Sequence, residues 1–532
     1  MTDQILNEQP SSGPNGHAKK RICIVGGGAN ALGTLKVLAD TPQVKSGFWT
    51  IVAYEERDSI GGIWYPAPPT TDPPKTPLYD SLHTNIPHPS MCFPSYSFPP
   101  STPLFPTAPV VLRYLESYAT HFSLHQYIRL NTHVTSTFWD SAAQLWRVKL
   151  STGVEESYEF LVAANGHYRD PKYPDTKGLG AWIEKGKAKH SVYYRNPAAY
   201  AGSKKIVIVG GGPSAIDLVT DIRYSCPGIQ VVVQSIAGAQ GPGFWNYAPD
   251  APDHRKKGKV ERYGDLETGE VVFEDGTVET GVDFVFVATG YNITFPFLRE
   301  QLPQAESPSP ASITIASPNP PLETPLFNST RHVFPLARHL FPLNASFPPH
   351  VIAFPGLPHR IAPFPIFEDQ ARAIVRVIAD GPSAISIPDE KALLVSRLKR
   401  VAQLANEPDP AAASDSEDQE LPDPFSEPIS HLWFRFGQHE TFDYRKELRV
   451  FAEPSSTWEP YSWELELWDR RDSIRAEWKE LVKQGEADKW VEGVGEKGGE
   501  EGMLEWVEVC RKLIKRYDGR VGKEETKVAE AE

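Results

Sequence analysis

The chain has 532 residues, 40% of them hydrophobic, enough apolar material for a sizeable core. Its formal charge is −14, from 54 Lys+Arg against 68 Asp+Glu, so it lacks the basic field that non-specific nucleic-acid binding needs. The four cysteines, Cys23, Cys92, Cys226 and Cys510, form no C-x-x-C pair and no metal spacing, which points to a reducing, cytoplasmic setting and to no metal centre.

In chain order, Met1 to Lys20 is polar, shows no secretory signal and reads as a disordered tail. Ile22 to Val25 reads as a buried strand, Ala31 to Ala39 as a helix and Phe48 to Tyr54 as a second strand, together a βαβ unit. The turn inside it, Gly26-Gly27-Gly28-Ala29-Asn30-Ala31, is G-x-G-x-x-A. The first glycine permits the tight turn, the second lets backbone approach a pyrophosphate, and the small last residue lets helix pack on strand. The phosphates then meet free N–H groups at the helix start, which makes Gly26, Gly27, Gly28, Ala29 and Asn30 candidate cofactor contacts. Glu55 closes the second strand and can accept from both ribose hydroxyls. Ile60-Gly61-Gly62-Ile63-Trp64 follows, where paired glycines let backbone pass a flat ligand that Ile63 and Trp64 flank. The bland alternative, a glycine turn with no ligand, explains the loop but not the strand, helix and carboxylate around it.

Pro66 to Pro109 is crowded with proline and cannot be regular helix or central strand. Its Phe93, Tyr96, Phe98 and Phe105 favour an ordered loop over a linker. A helix is expected from Val110 to His121. His121 and His125 have ligand spacing but no intervening Glu and no third ligand, so they read as ordinary histidines.

The βαβ pattern returns at Lys205 to Val209, Pro213 to Arg223 and Ile229 to Val233, around a second G-x-G-x-x-A, Gly210-Gly211-Gly212-Pro213-Ser214-Ala215. Gly210, Gly212, Pro213, Ser214, Ala215, Ile216 and Asp217 are its candidate contacts. The second strand here ends at Gln234-Ser235. An acid at that point would select NAD by binding the 2′-hydroxyl, so its absence admits NADP. Arg223 and the cluster Arg255-Lys256-Lys257 are candidate phosphate partners, although a solvated loop is the favoured reading of the cluster. Two such sites in one chain imply that a nicotinamide passes hydride to a flavin.

Phe341 to His359 is a long uncharged run, and its five prolines exclude a membrane span. Asn406 to Glu427 reads as a disordered acidic insertion, and the last hundred residues, with Trp458, Trp463, Trp468 and Trp478, as amphipathic helices packed on the rest.

These residues resemble the flavin-containing monooxygenases, particularly the soluble fungal and N,N-dimethylaniline monooxygenase type. The resemblance runs from about Arg21 to Val377. Besides the two glycine loops and Glu55 to Trp64, it rests on Tyr79 to Asn85 followed by Met91-Cys92-Phe93-Pro94, on Asn165-Gly166-His167-Tyr168, on Ala288-Thr289-Gly290-Tyr291, and on Phe364 to Ala371. The family's identifying pattern falls at Glu184 to Arg195, where Gly186, His190, Tyr194 and Arg195 match and Glu184 departs from an aromatic position.

The resemblance implies an α/β fold of two Rossmann-like dinucleotide-binding domains, a glutathione-reductase-like FAD domain with an NADPH domain inserted. The expected boundaries are 1–19 tail, 20–197 and 294–400 the two parts of the FAD domain, 198–293 the NADPH domain, 401–428 acidic insertion, 429–518 C-terminal helices and 519–532 mobile tail. It further implies that NADP+ stays bound while oxygen adds at the flavin C4a carbon, and that the hydroperoxide oxygenates a soft N or S nucleophile of a small molecule. Thr84, Asn85 and Ile86 are expected at the cofactors, Asn85 as the catalytic residue. A homodimer is the candidate assembly, and no transmembrane anchor is expected. Three alternatives stay open. A Baeyer–Villiger enzyme would carry Trp-Pro where this chain has Tyr194-Arg195. A disulfide reductase would need a cysteine pair. A nucleotide-binding sensor would not turn over.

Overall fold

The computed structural model describes residues 19–237, 251–304, 324–406 and 423–529. Backbone contacts divide them into two units, one drawn from 1–62, 83–166 and 295–532, the other from 63–82 and 167–294.

The first unit is built on a five-stranded parallel sheet in the order Ile352–Ala353, Phe160–Ala163, Lys20–Val25, Trp49–Tyr54, Ile128–Arg129. Both faces of such a sheet are covered, which is why Ile22, Cys23, Ile24 and Val25 are all buried rather than alternating. Helix Ala29–Ala39 crosses the sheet and packs on helix Pro363–Asp380. A three-stranded antiparallel sheet, Val134–Asp140, Leu145–Leu150 and Glu155–Tyr158, is fastened to the unit by the Trp146 indole, which donates to the Val351 carbonyl at 2.8 Å.

The part of the proline-rich stretch that belongs to this unit is ordered by ring stacking. Phe98 lies flat on Tyr114 with centroids 3.8 Å apart, and Phe93 stacks on Tyr118 at 4.2 Å and Phe364 at 4.8 Å. Helix Ala108–His121 supplies Tyr114 and Tyr118. Leu104 and Phe105 enter a core with Leu467, Trp478, Trp506 and Leu513, contributed by helices Ser462–Asp469, Arg471–Gln484 and Gly499–Ala529. The expected C-terminal helices therefore form, and aromatic residues of the proline stretch complete their core.

Two segments differ from expectation. Helix Ile387–Asn406 runs into the insertion expected over 401–428, because Leu398 and Val401 carry its apolar face inward, and helix Glu427–Leu432 takes its other end. Residues 407–422 lie outside the described residues, as do 1–18 of the expected N-terminal tail. The tail expected to be mobile over 519–532 is helical as far as Ala529, a continuation favoured by its Lys, Glu and Ala content.

The second unit repeats the parallel plan in the order His254–Lys257, Val231–Ser235, Lys205–Val209, Phe284–Val287, Ala188–His190. A small antiparallel sheet follows, Val260–Tyr263, Val271–Phe273 and Val278–Glu279. Arg255-Lys256-Lys257 is thus a strand and not the solvated loop expected. Its pairing with Val231–Ser235 and the burial of His254, 2% exposed, hold it in the sheet.

The first unit contains a buried ion network. Asp369, fully buried on helix Pro363–Asp380, accepts from Arg445 at 3.0 Å and Arg449 at 2.7 Å on helix Glu440–Ala452, and Arg445 also reaches Glu464 at 2.7 Å. Both guanidinium groups lie over the Trp458 ring. Removing one partner leaves buried charge uncompensated, so Asp369→Ala is expected to destabilise the protein by roughly 3–5 kcal/mol. Urea or thermal unfolding measures this, and a loss under about 1 kcal/mol would show that the network behaves like a surface pair.

Candidate functional site

The first glycine turn is shaped by close backbone approaches. Gly26 has φ +115°, and a β-carbon there would lie 2.6 Å from the Ala164 carbonyl oxygen. Its amide donates to the Tyr54 carbonyl at 2.8 Å, tying the turn to the second strand. A β-carbon on Gly28 would stand 3.4 Å from the Gly62 Cα, and one on Gly62 2.8 Å from the Gly28 Cα. The Gly61 amide donates to the Gly27 carbonyl at 3.0 Å. Gly28 then opens helix Ala29–Ala39 with no side-chain cap, so a bound anion can take that role.

Glu55 sits beside this turn. Its Oε2 accepts from the Gly27 amide at 2.6 Å and its Oε1 from the Arg57 amide at 2.9 Å. Burial pushes the carboxyl up, opposed by those two backbone amides. A carboxylate has about four lone-pair sites, so both oxygens can still accept from ribose hydroxyls.

Asn30, the second residue of the helix, has a buried Oδ1 with no hydrogen-bond partner. Its Nδ2 lies 2.3 Å from where a β-carbon on Gly356 would be. The Gly356 amide in turn donates to Gln370 Oε1 at 2.9 Å. Gly356 was not singled out from the sequence, though its place after Pro355 marks a turn and its φ is +82°. These features fit an FAD dinucleotide: a glycine cradle, an uncapped helix start, a buried carboxylate with spare lone pairs and an orphaned amide oxygen.

Thr84 and Ile86 are buried, with the Thr84 hydroxyl donating to the Ile86 carbonyl at 3.0 Å. Asn85 between them is exposed. Ile63 and Trp64 are half-buried in a single 3-10 turn, Gly62–Trp64.

In the second frame, Gly210 has φ +142°, and a β-carbon there would meet the Ala288 carbonyl oxygen at 2.3 Å. Pro213 occupies the first turn of helix Pro213–Ser225, where its missing N–H costs nothing, and Ala215 is fully buried under it. Gln234, 2% exposed, donates its side-chain amide to the Gly210 carbonyl at 3.1 Å. Asp217 accepts from the Tyr79 hydroxyl at 2.5 Å. Gly212, Ser214 and Ile216 lie at the helix start, partly exposed. Arg223 is held by Asp253 through two bonds of 2.7 and 3.0 Å.

The identifying stretch from Glu184 to Arg195 is a structural knot in this unit. His190 is fully buried and pushed down to about 4 by burial, so its ring is neutral at pH 7. Nδ1 accepts from the Val192 amide at 3.1 Å, which leaves Nε2 to donate to the Gly290 carbonyl at 2.9 Å. The Tyr194 hydroxyl donates to Asp221 at 2.6 Å, and Arg195 to the carbonyls of Ala67 and Thr76 at 3.0 Å each. Asp221 also accepts from Ser81 at 2.8 Å. The motif thus fastens the 63–82 excursion to the nucleotide frame.

Among the described residues there is no metal-ligand cluster and no helix long and apolar enough to cross a membrane. All four cysteines are buried and unpaired.

The flavin-binding monooxygenase-like family matches residues 19–240 and 256–310, more than half of the chain. The flavin-containing monooxygenase FMO GS-OX-like 2 of Arabidopsis thaliana is 26% identical over 418 residues, 72% of this chain and 78% of that protein. The senecionine N-oxygenase of Tyria jacobaeae is 29% identical over 295 residues, 52% of this chain and 59% of that protein. Among solved structures, S-allyl-L-cysteine S-oxygenase from Allium sativum shares the fold, with a TM-score of 0.63 and 21% identity over 93% of this chain and 99% of that one.

A β-carbon on Gly62 would clash with the Gly28 backbone, whereas one on Gly28 would only touch Gly62 at 3.4 Å, so the Gly28 position admits a side chain that then faces the cradle. Gly28→Asp would set a carboxylate against the pyrophosphate, and the folded variant should purify colourless where the parent is yellow. Flavin content per chain and circular dichroism check this, and a folded variant with normal flavin would remove the Gly26 turn from the FAD site.

Proposed function

The chain belongs to the flavin-binding monooxygenase-like family, and from that premise we propose that it is an NADPH- and oxygen-dependent S- or N-oxygenase of small molecules, of the N,N-dimethylaniline monooxygenase type. FAD and NADPH are its cofactors. The observation that carries the reading is the pair of dinucleotide frames in one chain, each with strand, glycine turn and helix in register with a second parallel strand. When bound, the flavin accepts two electrons from NADPH and activates oxygen, one atom of which goes to the nucleophile and the other to water.

The protein's own part is binding and shielding. The Gly26–Gly28 backbone and the helix start hold the pyrophosphate, and Glu55 orients the ribose by accepting from its hydroxyls. The second turn, Gly210 to Ser214, holds the nicotinamide dinucleotide in the same way. Asn85 stands exposed between two buried neighbours and presents an amide with two donors and an acceptor. Such a group can hydrogen-bond a cofactor without exchanging a proton, which suits chemistry that uses no acid–base triad. The N-oxygenase among its relatives and the S-oxygenase that shares its fold support a soft N or S nucleophile as substrate. Four cysteines that form no pair support a reducing, cytoplasmic setting.

Two measurements test the reading. NADPH consumption should rise with candidate thioethers, thiols or tertiary amines, and mass spectrometry should find product heavier by one oxygen. Consumption that responds only to ketones, with ester as product, would replace the proposal by a Baeyer–Villiger activity. Asn85→Ala should retain FAD and be reduced by NADPH, yet yield less product per NADPH and more hydrogen peroxide. An unchanged product yield would exclude Asn85 from the role.

A further inference from the structure

The second frame has no acid at the end of its second strand, and the basic group that would recognise a 2′-phosphate is not in the glycine motif. Strand pairing supplies one. His254–Lys257 is the edge strand beside Val231–Ser235, with Gln234 opposite Lys256 and Ser235 opposite Lys257. The carboxyl ends of three neighbouring strands are stitched together by short bonds. The Gly210 amide donates to the Ser235 carbonyl at 2.9 Å, the Ile236 amide to the Lys257 carbonyl at 2.9 Å, and the Ser235 hydroxyl to the Gly258 carbonyl at 2.8 Å. Lys257 is therefore one strand spacing, about 4.8 Å, from the strand end where the adenosine ribose of a Rossmann-bound dinucleotide lies.

Arg223, Arg255, Lys205 and Lys259, basic residues of this neighbourhood, are held in ion pairs. Arg223 is bound by Asp253. Arg255 reaches Glu279 at 3.1 Å, and Glu279 also takes Lys205 at 2.7 Å. Lys259 pairs with Glu274 at 3.2 Å. Lys257 is half-buried on the edge strand, with its backbone fixed by the sheet. The nearby acid that feels its charge, Asp275, is occupied by the Thr277 amide at 2.9 Å and hydroxyl at 2.6 Å.

We propose that Lys257, at the carboxyl end of the edge strand next to Ser235, is the residue that recognises the 2′-phosphate of NADPH. The inference rests on the NADPH-dependent reading of this frame. The Lys257 backbone lies one strand over from Ser235, the strand end at which an acid would stand in an NAD-selective site. Lys257 belongs to the adjacent strand and not to the strand that follows the glycine helix, so the sequence offers it only as one member of a basic run, and strand pairing singles it out.

The test uses the FAD-loaded full chain and isothermal titration with 2′,5′-ADP and 5′-AMP, which share the adenosine and differ in the 2′-phosphate. The parent should prefer 2′,5′-ADP. Lys257→Met should weaken 2′,5′-ADP by roughly ten-fold or more, the weight of a charged hydrogen bond, and leave 5′-AMP unchanged. Equal binding of the two ligands by the parent, no effect of the substitution, or an equal loss of both ligands would each overturn the proposal. The titration needs no turnover. A protein that binds 2′,5′-ADP through Lys257 but forms no oxygenated product would keep this inference and reject the oxygenase reading alone.

Discussion

The first dinucleotide frame depends on two stretches of backbone that touch, Gly28 against Gly62, so closely that Gly62 has no room for a β-carbon. A side chain on Gly62 would come within 2.8 Å of the Gly28 Cα, closer than real carbon contacts. That approach fixes the turn after the second strand against the turn after the first. It leaves Gly27 beside Glu55, whose carboxylate accepts the Gly27 amide at 2.6 Å. The carboxylate is costly to bury, and the amides it collects only partly offset that burial. On the proposed reading, a ribose with two hydroxyl donors would supply the rest, and the frame would be better satisfied with ligand than without.

Residues whose information is local could be read from the sequence. The strand, glycine turn and helix of each frame, the carboxylate at Glu55, and the helix over residues 108–121 follow from patterns a few residues long. What escaped depends on partners distant in the chain. Arg255, Lys256 and Lys257 look like a charged loop because nothing nearby shows that Val231–Ser235 will pair with them. Asp217 reads as part of a phosphate loop until Tyr79, far away in sequence, takes its carboxylate. The helix to Asn406 runs past its expected end because Leu398 and Val401 bury its apolar face, a tertiary effect that composition does not show, whereas the helix to Ala529 continues on the helix-favouring Lys, Glu and Ala of its own segment.

The same contrast separates motifs that hold ligands from motifs that hold the fold. His190, Tyr194 and Arg195 identify the family, yet each is spent on the protein itself. His190 bridges to Gly290, Tyr194 to Asp221, and Arg195 to the backbone of residues 67 and 76. Arg195, and Tyr194 through the Asp221 that Ser81 also reaches, keep the 63–82 excursion in place, while His190 ties its own stretch to Gly290. Phe93, Phe98 and Phe105 do comparable work in the first unit, where ring stacking and core packing order a proline-crowded segment whose regular structure is confined to short pieces such as the helix His88–Met91.

The central claim is that two dinucleotide frames in one chain serve a single electron path from NADPH to FAD. An anaerobic stopped-flow record of the yellow protein mixed with NADPH, with no substrate present, tests it most directly. The account predicts complete bleaching of the flavin absorbance by a stoichiometric amount of NADPH. A flavin that stays yellow under NADPH, while dithionite still bleaches it, would contradict the account.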